Sequence, residues 1–398
     1  MIPKIDSDIG ILHYTTKFQG CGGKIRERFE DFAVSEILEE KTLNSLSSDD
    51  GFAVYRLTKS GIDTNHALER IYKQFGVRLK ALGLKDASAV TEQYVCSVAK
   101  NKRIRDYSDE KITLQSVGSA KKPLSAKDMV GNRFKIKITN PSSDPSGFAE
   151  HDRVLNFYGY QRFGSKRAMT HLVGKALVQK RFSDAVSLIL SFVSEYDSAE
   201  NSKIRLMLGD PANYRQAISQ IPKQMDLEII LLKEMVEHSD PKRAFTKLPL
   251  SIRRFFVEAY QSYLFNLTLS RSYEYGEDLF VPHENDVCYD RNSNLGKFQA
   301  DPQQLLAVPT VGHSYFKKTR FDFHITKILQ QEEIAPKDFY IKEMQEISSE
   351  GGFRGASIRC KDFSACSDMV SFTLSRGSFA TMVLREIIKP QSPLESGF

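Results

Sequence analysis

Hydrophobic spacing along the chain changes from a period of two to a period near 3.6 and then back again. No single kind of secondary structure accommodates both. Strand-forming text dominates the first third, in FAVYRLT (52–58), ALGL (81–84), TEQYVCSVA (91–99) and NRFKIKI (132–138). In the last of these, Arg133, Lys135 and Lys137 alternate with Phe134, Ile136 and Ile138. That alternation predicts a strand with one apolar and one cationic face. Thr64 is a candidate cap for a helix carrying Ala67, Ile71 and Phe75 at i+4 steps, with Gly76 as its stop. Beyond the turn-rich TNPSSDPSG (139–147), a second helix is expected around Met169, Leu172, Val173, Ala176 and Leu177. Longer helical patterns then run from about 181 to 350. One of them places Phe256, Ala259, Tyr260, Tyr263, Leu264 and Leu267 on a core-facing stripe. Strand text returns in DMVSFTL (368–374), followed by a turn at Ser375–Gly377 and a short helix with Phe379, Met382, Val383 and Ile387 on one face.

A chain of 398 residues exceeds one typical core, so two domains are expected. No apolar run reaches the roughly twenty residues of a membrane helix. The start, MIPKIDSDIG, has no basic-then-apolar leader, so the expected location is the cytoplasm with no membrane partner. Five cysteines, Cys21, Cys96, Cys288, Cys360 and Cys366, are scattered and form no CxxC or Cys/His set of zinc spacing. No metal is expected. GCGGK (20–24) lacks the spacing of a phosphate loop, and Ile25 follows its lysine where a hydroxyl would be needed. A net charge of +6 permits a polyanionic partner without demanding one; the basic run KNKRIR (100–105) and the cationic strand face are where such a partner could lie.

Three segments are more particular than packing requires. GLKDASAVTEQ (83–93) sets Asp86 in a loop at a strand end, where a side chain can meet a ligand. NFYGYQRFG (156–164) combines an amide, four aromatic rings and an arginine. SRGSFATMVLRE (375–386) places Phe379 at a helix start behind a glycine turn. Together with RFEDFAVSEI (28–37), SGIDTNHAL (60–68), GNRF (131–134) and SIRRFFVEAYQSYLFN (251–266), they resemble the TruD family of pseudouridine synthases, including its archaeal and eukaryotic Pus-seven-like members. The likeness runs through nearly the whole chain in the family's order. Departures are Leu155 where proline is common, Phe157–Tyr158 in reversed aromatic order, and VPTVG (308–312) as a loose version of the family's LPLPG.

The resemblance implies an α+β fold: a pseudouridine-synthase domain on a largely antiparallel sheet, interrupted by an inserted mixed α/β TRUD domain. The expected division is 1–180 and 351–398 for the first and 181–350 for the second. It also implies a tRNA substrate, typically at uridine 13, with Asp86 as the catalytic carboxylate. Phe32, Asn156 and Phe379 would line the uridine pocket, with Tyr158 near them. The reaction breaks N1–C1′, turns the uracil and rejoins it through C5, so no redox or group-transfer cofactor is expected. A cation near Asp86 would keep it ionised; Lys85, Arg26 and Arg162 are candidates. No obligatory protein partner is implied. The alternative is a non-catalytic tRNA-binding or RNA-chaperone protein on the same fold, against which the presence of Asp86 argues.

Overall fold

The computed structural model describes every residue of the chain except Ser48, Asp49, Asp86 and Lys317. The described residues form two compact units, one of Thr15–Val154 with Ile358–Phe398 and one of Met1–Tyr14 with Leu155–Ser357. The fold is α+β.

The first unit is built on a nine-stranded sheet: β1 (Phe32–Leu38), β2 (Phe52–Ser60), β3 (Leu79–Ala81), β4 (Val90–Ser97), β5 (Tyr107–Ser108), β6 (Ile112–Ala120), β7 (Met129–Lys137), β8 (Lys361–Cys366) and β9 (Met369–Ser375). Their order is β8-β9-β7-β1-β4-β2-β6-β5, with β3 paired to the far end of β4. The β1–β4 pair is parallel and the other ladders are antiparallel. The expected alternation in β7 is present: Phe134 and Ile136 are buried, Arg133 and Lys135 exposed. Phe134 stacks on Phe372 of β9 at 5.4 Å and meets Phe32 of β1 edge-on at 6.4 Å, fixing three neighbouring strands by one aromatic row.

The helix Thr64–Phe75 covers β2, β4 and β6 through Ala67 and Ile71, which pack with Tyr55, Leu57, Val95 and Leu114. Its cap is Asp63, not Thr64: the Asp63 carboxylate accepts from the backbone N–H groups of Asn65 and His66. Thr64 is released for other work.

In the second unit the 25-residue helix Leu250–Glu274 packs on Thr170–Val178. A Cβ at Gly174 would lie 2.0 Å from Phe256 O, so only glycine permits this approach. Phe256, Ala259, Tyr260, Leu264 and Leu267 are buried, as the stripe predicts. A four-stranded sheet of segments 287–289, 295–297, 305–310 and 352–355 accompanies the helices. The compact units change over at 154/155 and 357/358, whereas 180/181 and 350/351 were expected. The reason is local. Within 155–180 the helix Thr170–Val178 buries Val173, Ala176 and Leu177 against other helices, so this segment packs with the helical unit. Among the described residues no helix is long and apolar enough to cross a membrane.

Candidate active site

Asp86, the expected catalytic carboxylate, lies outside the described residues. The turn that leads into it is described, and it is held from several directions. Gln93 Nε2 donates to Gly83 O at 3.1 Å. The Thr64 hydroxyl accepts from the Lys85 backbone N–H at 2.9 Å and donates to Gln93 Oε1 at 2.9 Å. The buried Lys59 ammonium donates to Lys85 O at 3.2 Å and to Ile62 O at 2.8 Å. Side chains from β2, β4 and the helix start thus all converge on the main chain of 83–85. The Thr and Gln of the TxQ in GLKDASAVTEQ also gain a physical reading. Both are wholly inward-facing on β4, and Gln93 is part of the clamp.

Lys85 itself is committed elsewhere. Its ammonium is 2.6 Å from Glu36 Oε1, and that carboxylate is 0% exposed. Glu36 also accepts from Tyr94 N at 2.8 Å, so one buried carboxylate ties β1, β4 and the 83–85 turn together. Arg26 adopts a left-handed backbone (φ 60°) and lays its guanidinium 4.2 Å over the Phe32 ring, while Nη1 donates to Gly397 O at 3.1 Å. Phe32 is buried at the start of β1.

Phe379 stands at the N-cap of the helix Ala380–Ile388 and is half-buried. Gly377 before it sits at φ 81°, a conformation that favours glycine and turns the chain out of β9. The helix is anchored by Glu386, whose carboxylate accepts from Thr15 N (2.8 Å), Thr16 N (3.0 Å) and the Thr16 hydroxyl (3.0 Å). Phe379→Ala is expected to slow single-turnover pseudouridine formation by roughly 5- to 150-fold, the equivalent of about 1–3 kcal/mol of base stacking. Thermal melting should barely change. A core phenylalanine would instead lose about 3–5 kcal/mol of stability, so a large fall in melting temperature with normal low-temperature turnover would remove Phe379 from the site.

The helical unit carries Asn156 and Tyr158. Asn156 Nδ2 donates to Gly355 O (2.8 Å), its Oδ1 accepts from Arg354 Nη2 (2.6 Å), and its backbone N–H donates to Ala356 O (2.8 Å). Both ends of the amide are therefore engaged by the 354–356 strand. Arg354 lies 4.2 Å over the Tyr158 ring and 5.9 Å from that of Phe265. Burial pushes its guanidinium below the usual arginine range, while Tyr158 acts in the opposite direction. Arg162 also reaches toward Tyr158, at 5.5 Å, but its own ion pair is with Glu258 at 3.0 Å. Asn266 holds the Tyr158 backbone from both sides, accepting from its N–H (2.8 Å) and donating to its carbonyl (3.0 Å).

Lys59, Glu36 and Arg354 were not singled out from sequence. For the first two a signal existed. Lys59 follows Tyr55 and Leu57 on the inward face of β2, and Glu36 follows Phe32 and Val34 on that of β1. A charge at an inward strand position needs a partner or a purpose. Among the described residues Glu234, Glu237 and His238 have ligand atoms within 4.8 Å of one another, but Arg243 and Lys247 pair with Glu234 there.

Comparison with known proteins agrees with this architecture over its full length. The family model described as tRNA pseudouridine synthase D (TruD) matches residues 8–387. A protein of Pyrobaculum islandicum named probable tRNA pseudouridine synthase D is 31% identical over 419 aligned residues, covering 100% of this chain and 99% of its own. Its namesake from Methanosarcina acetivorans is 29% identical, covering 98% and 97%. The crystal structure of a Methanosarcina mazei protein described as a "putative tRNA pseudouridine synthase D (TruD)" superposes with a TM-score of 0.84 at 26% identity, covering 99% of each chain. The sheet, the clamped turn and these matches define an isomerase of the tRNA pseudouridine synthase class. Within that class the chain belongs to the TruD family.

Proposed function

We propose that this chain isomerises uridine 13 of tRNA, with Asp86 as the carboxylate that attacks or deprotonates the nucleoside. The observation that carries the reading is the clamp on residues 83–85. Lys59, Thr64 and Gln93 spend buried hydrogen bonds on the main chain next to one aspartate. A nucleophile or base must be held within a fraction of an ångström of its productive geometry, and a turn fixed from three elements provides that. A purely structural surface turn needs no such investment, and a non-catalytic RNA-binding protein gains nothing from a rigidly presented carboxylate facing an anionic ligand.

The remaining residues take complementary roles in this reading. Phe32 and Phe379 offer apolar ring faces that retain the detached uracil while it turns, because stacking does not fix one orientation in the plane. Arg26, over the Phe32 ring, holds that ring. Tyr158 presents a further ring. Asn156, with both amide groups engaged, acts by fixing Arg354 against Tyr158 rather than by reading the uracil edge. Lys85 acts through Glu36, as a strut of the turn. The base must leave its stack to be reached, at a cost of about a few kcal/mol, which phosphate contacts from Arg133, Lys135 and KNKRIR offset.

Mapping pseudouridines in tRNA from cells with and without the protein tests the assignment. The expected result is loss of pseudouridine at position 13 alone, restored in vitro by purified protein with no added nucleotide or redox cofactor. Unchanged modification at 13 with loss elsewhere would replace the target while keeping the chemistry.

A further inference from the structure

We infer that Leu84 is an apolar wedge for the RNA substrate: its exposed side chain enters the base stack as the target uridine is extruded and occupies the gap the base leaves. This rests on the reading of Asp86 as the catalytic group, which makes the 83–85 turn the place where the uridine arrives. Leu84 lies between β3 and β4 and is 70% exposed. Its neighbours are committed inward. Leu82 is buried in a cluster with Leu38, Tyr94 and Met129. Gly83 faces the Glu36–Lys85 pair so closely that a Cβ there would lie 3.2 Å from both Glu36 Oε1 and Lys85 Nζ. Lys85 turns its ammonium back onto Glu36, which leaves that side chain 12% exposed. Of residues 82–85, Leu84 is the one whose side chain faces solvent.

The exposed position of a turn ordinarily carries Gly, Asn, Asp or Ser. Singly exposed leucines are nevertheless common on protein surfaces, and exposure alone assigns nothing. What sets Leu84 apart is rigid presentation. Both flanking residues are fixed through their main chain: Gly83 O by Gln93 Nε2 at 3.1 Å, Lys85 N by the Thr64 hydroxyl at 2.9 Å, and Lys85 O by Lys59 Nζ at 3.2 Å. The leucine is left with its own rotamers and little other freedom. It precedes Asp86 by two residues, a separation that covalent geometry limits to about 7 Å. An apolar group held at that range from the reacting nucleotide meets the space the base vacates.

Extrusion calls for such a group. A uridine stacked in folded RNA has to swing out before its N1–C1′ bond is reached, and the bases on either side lose their contact with it. An apolar wedge restores part of that contact, and it carries no hydrogen-bonding group that would be stranded between the rings. Leucine is compact and gives up less rotamer freedom on insertion than methionine, lysine or arginine. It makes no hydrogen bond to a base edge, so the wedge leaves the identity of the flanking nucleotides open.

The test places 2-aminopurine, whose fluorescence rises on unstacking, beside the target uridine of a tRNA transcript. Leu84→Ala and Leu84→Met are compared with the wild type. Stopped-flow fluorescence follows extrusion and single-turnover rates follow product, with affinity and thermal melting measured on the same proteins. Leu84→Ala is expected to slow both the fluorescence rise and product formation by about tenfold or more, the scale of losing two or three buried methylene-sized groups. Leu84→Met keeps the apolar volume and should stay within about threefold of the wild type. Melting should be unchanged, because the side chain lies outside the core. A slow product rate behind a normal fluorescence rise would overturn the inference. So would a Leu84→Met protein as defective as Leu84→Ala, or a Leu84→Ala protein that matches the wild type in both signals. A failed reading of Asp86 looks different: Asp86→Asn would remain active, while the fluorescence rise, which precedes bond breaking, would still report whether Leu84 enters the stack.

Discussion

Asp86→Asn is expected to reduce pseudouridine formation by at least about a thousandfold while leaving tRNA affinity within about threefold, the scale set by removing an acid–base or nucleophilic group. The amide is nearly the same size as the acid, so what changes is the charge and the lone-pair basicity. The fold should be indifferent to the swap. The neighbouring turn is secured by Thr64, Lys59 and Gln93 through main-chain atoms of Gly83 and Lys85. Single-turnover rates on a transcript, with a melting curve on the same preparation, separate chemistry from folding. A variant that melted normally and turned over at a tenth of the wild-type rate would sink the assignment, because no carboxylate doing covalent or acid–base work is so dispensable.

Period-two alternation made β7 legible in sequence, since it buries one face and exposes the other, whereas β4 buries both faces over its second half and was marked only by its strand-forming residues. What alternation could not reveal was the use made of its exceptions. Lys59 and Glu36 break the apolar inward rows, and each is explained only by a partner on a different element: Lys85 O for one, the Lys85 ammonium for the other. Thr64 illustrates the same point from the helix side. Its position at a helix start suggests a cap, yet the cap belongs to Asp63, and the Thr64 hydroxyl serves the turn 21 residues away. Local chemistry cannot distinguish those uses, because both need a hydroxyl at the first turn. Arg354 was out of reach for a simpler reason. Its contact with Asn156 spans 198 residues, and nothing in GGFRGAS marks its arginine as buried under a tyrosine ring. The changeover at 154/155 was likewise hidden, because a helical segment carries no mark of which unit it will cover.

Glu36→Ala is expected to destabilise the sheet unit by about 3–5 kcal/mol, the cost of breaking a buried ion pair from one side. The carboxylate is 0% exposed, and its Lys85 partner is 12% exposed, so neither charge is screened much by water. Truncation would leave the Lys85 ammonium without its counter-charge and the Tyr94 N–H without its acceptor, inside a cavity the size of the lost side chain. The pair as a whole is a different matter, because two buried charges cost about as much to desolvate as their attraction returns. Glu36→Met combined with Lys85→Met should therefore recover much of the loss suffered by Glu36→Met alone, and the double-mutant cycle measures the coupling directly. Urea unfolding at neutral pH gives these differences. A Glu36→Ala protein within about 1 kcal/mol of wild type would mean that water or a rearranged turn replaces the carboxylate, and Glu36 would lose its standing as the buried tie between β1, β4 and the turn. The activity readout carries a further expectation. Because Glu36 holds Lys85, the residue before Asp86, the surviving folded fraction of Glu36→Ala should turn over more slowly at low temperature even where unfolding is negligible, whereas a defect confined to stability would leave that rate at the wild-type value.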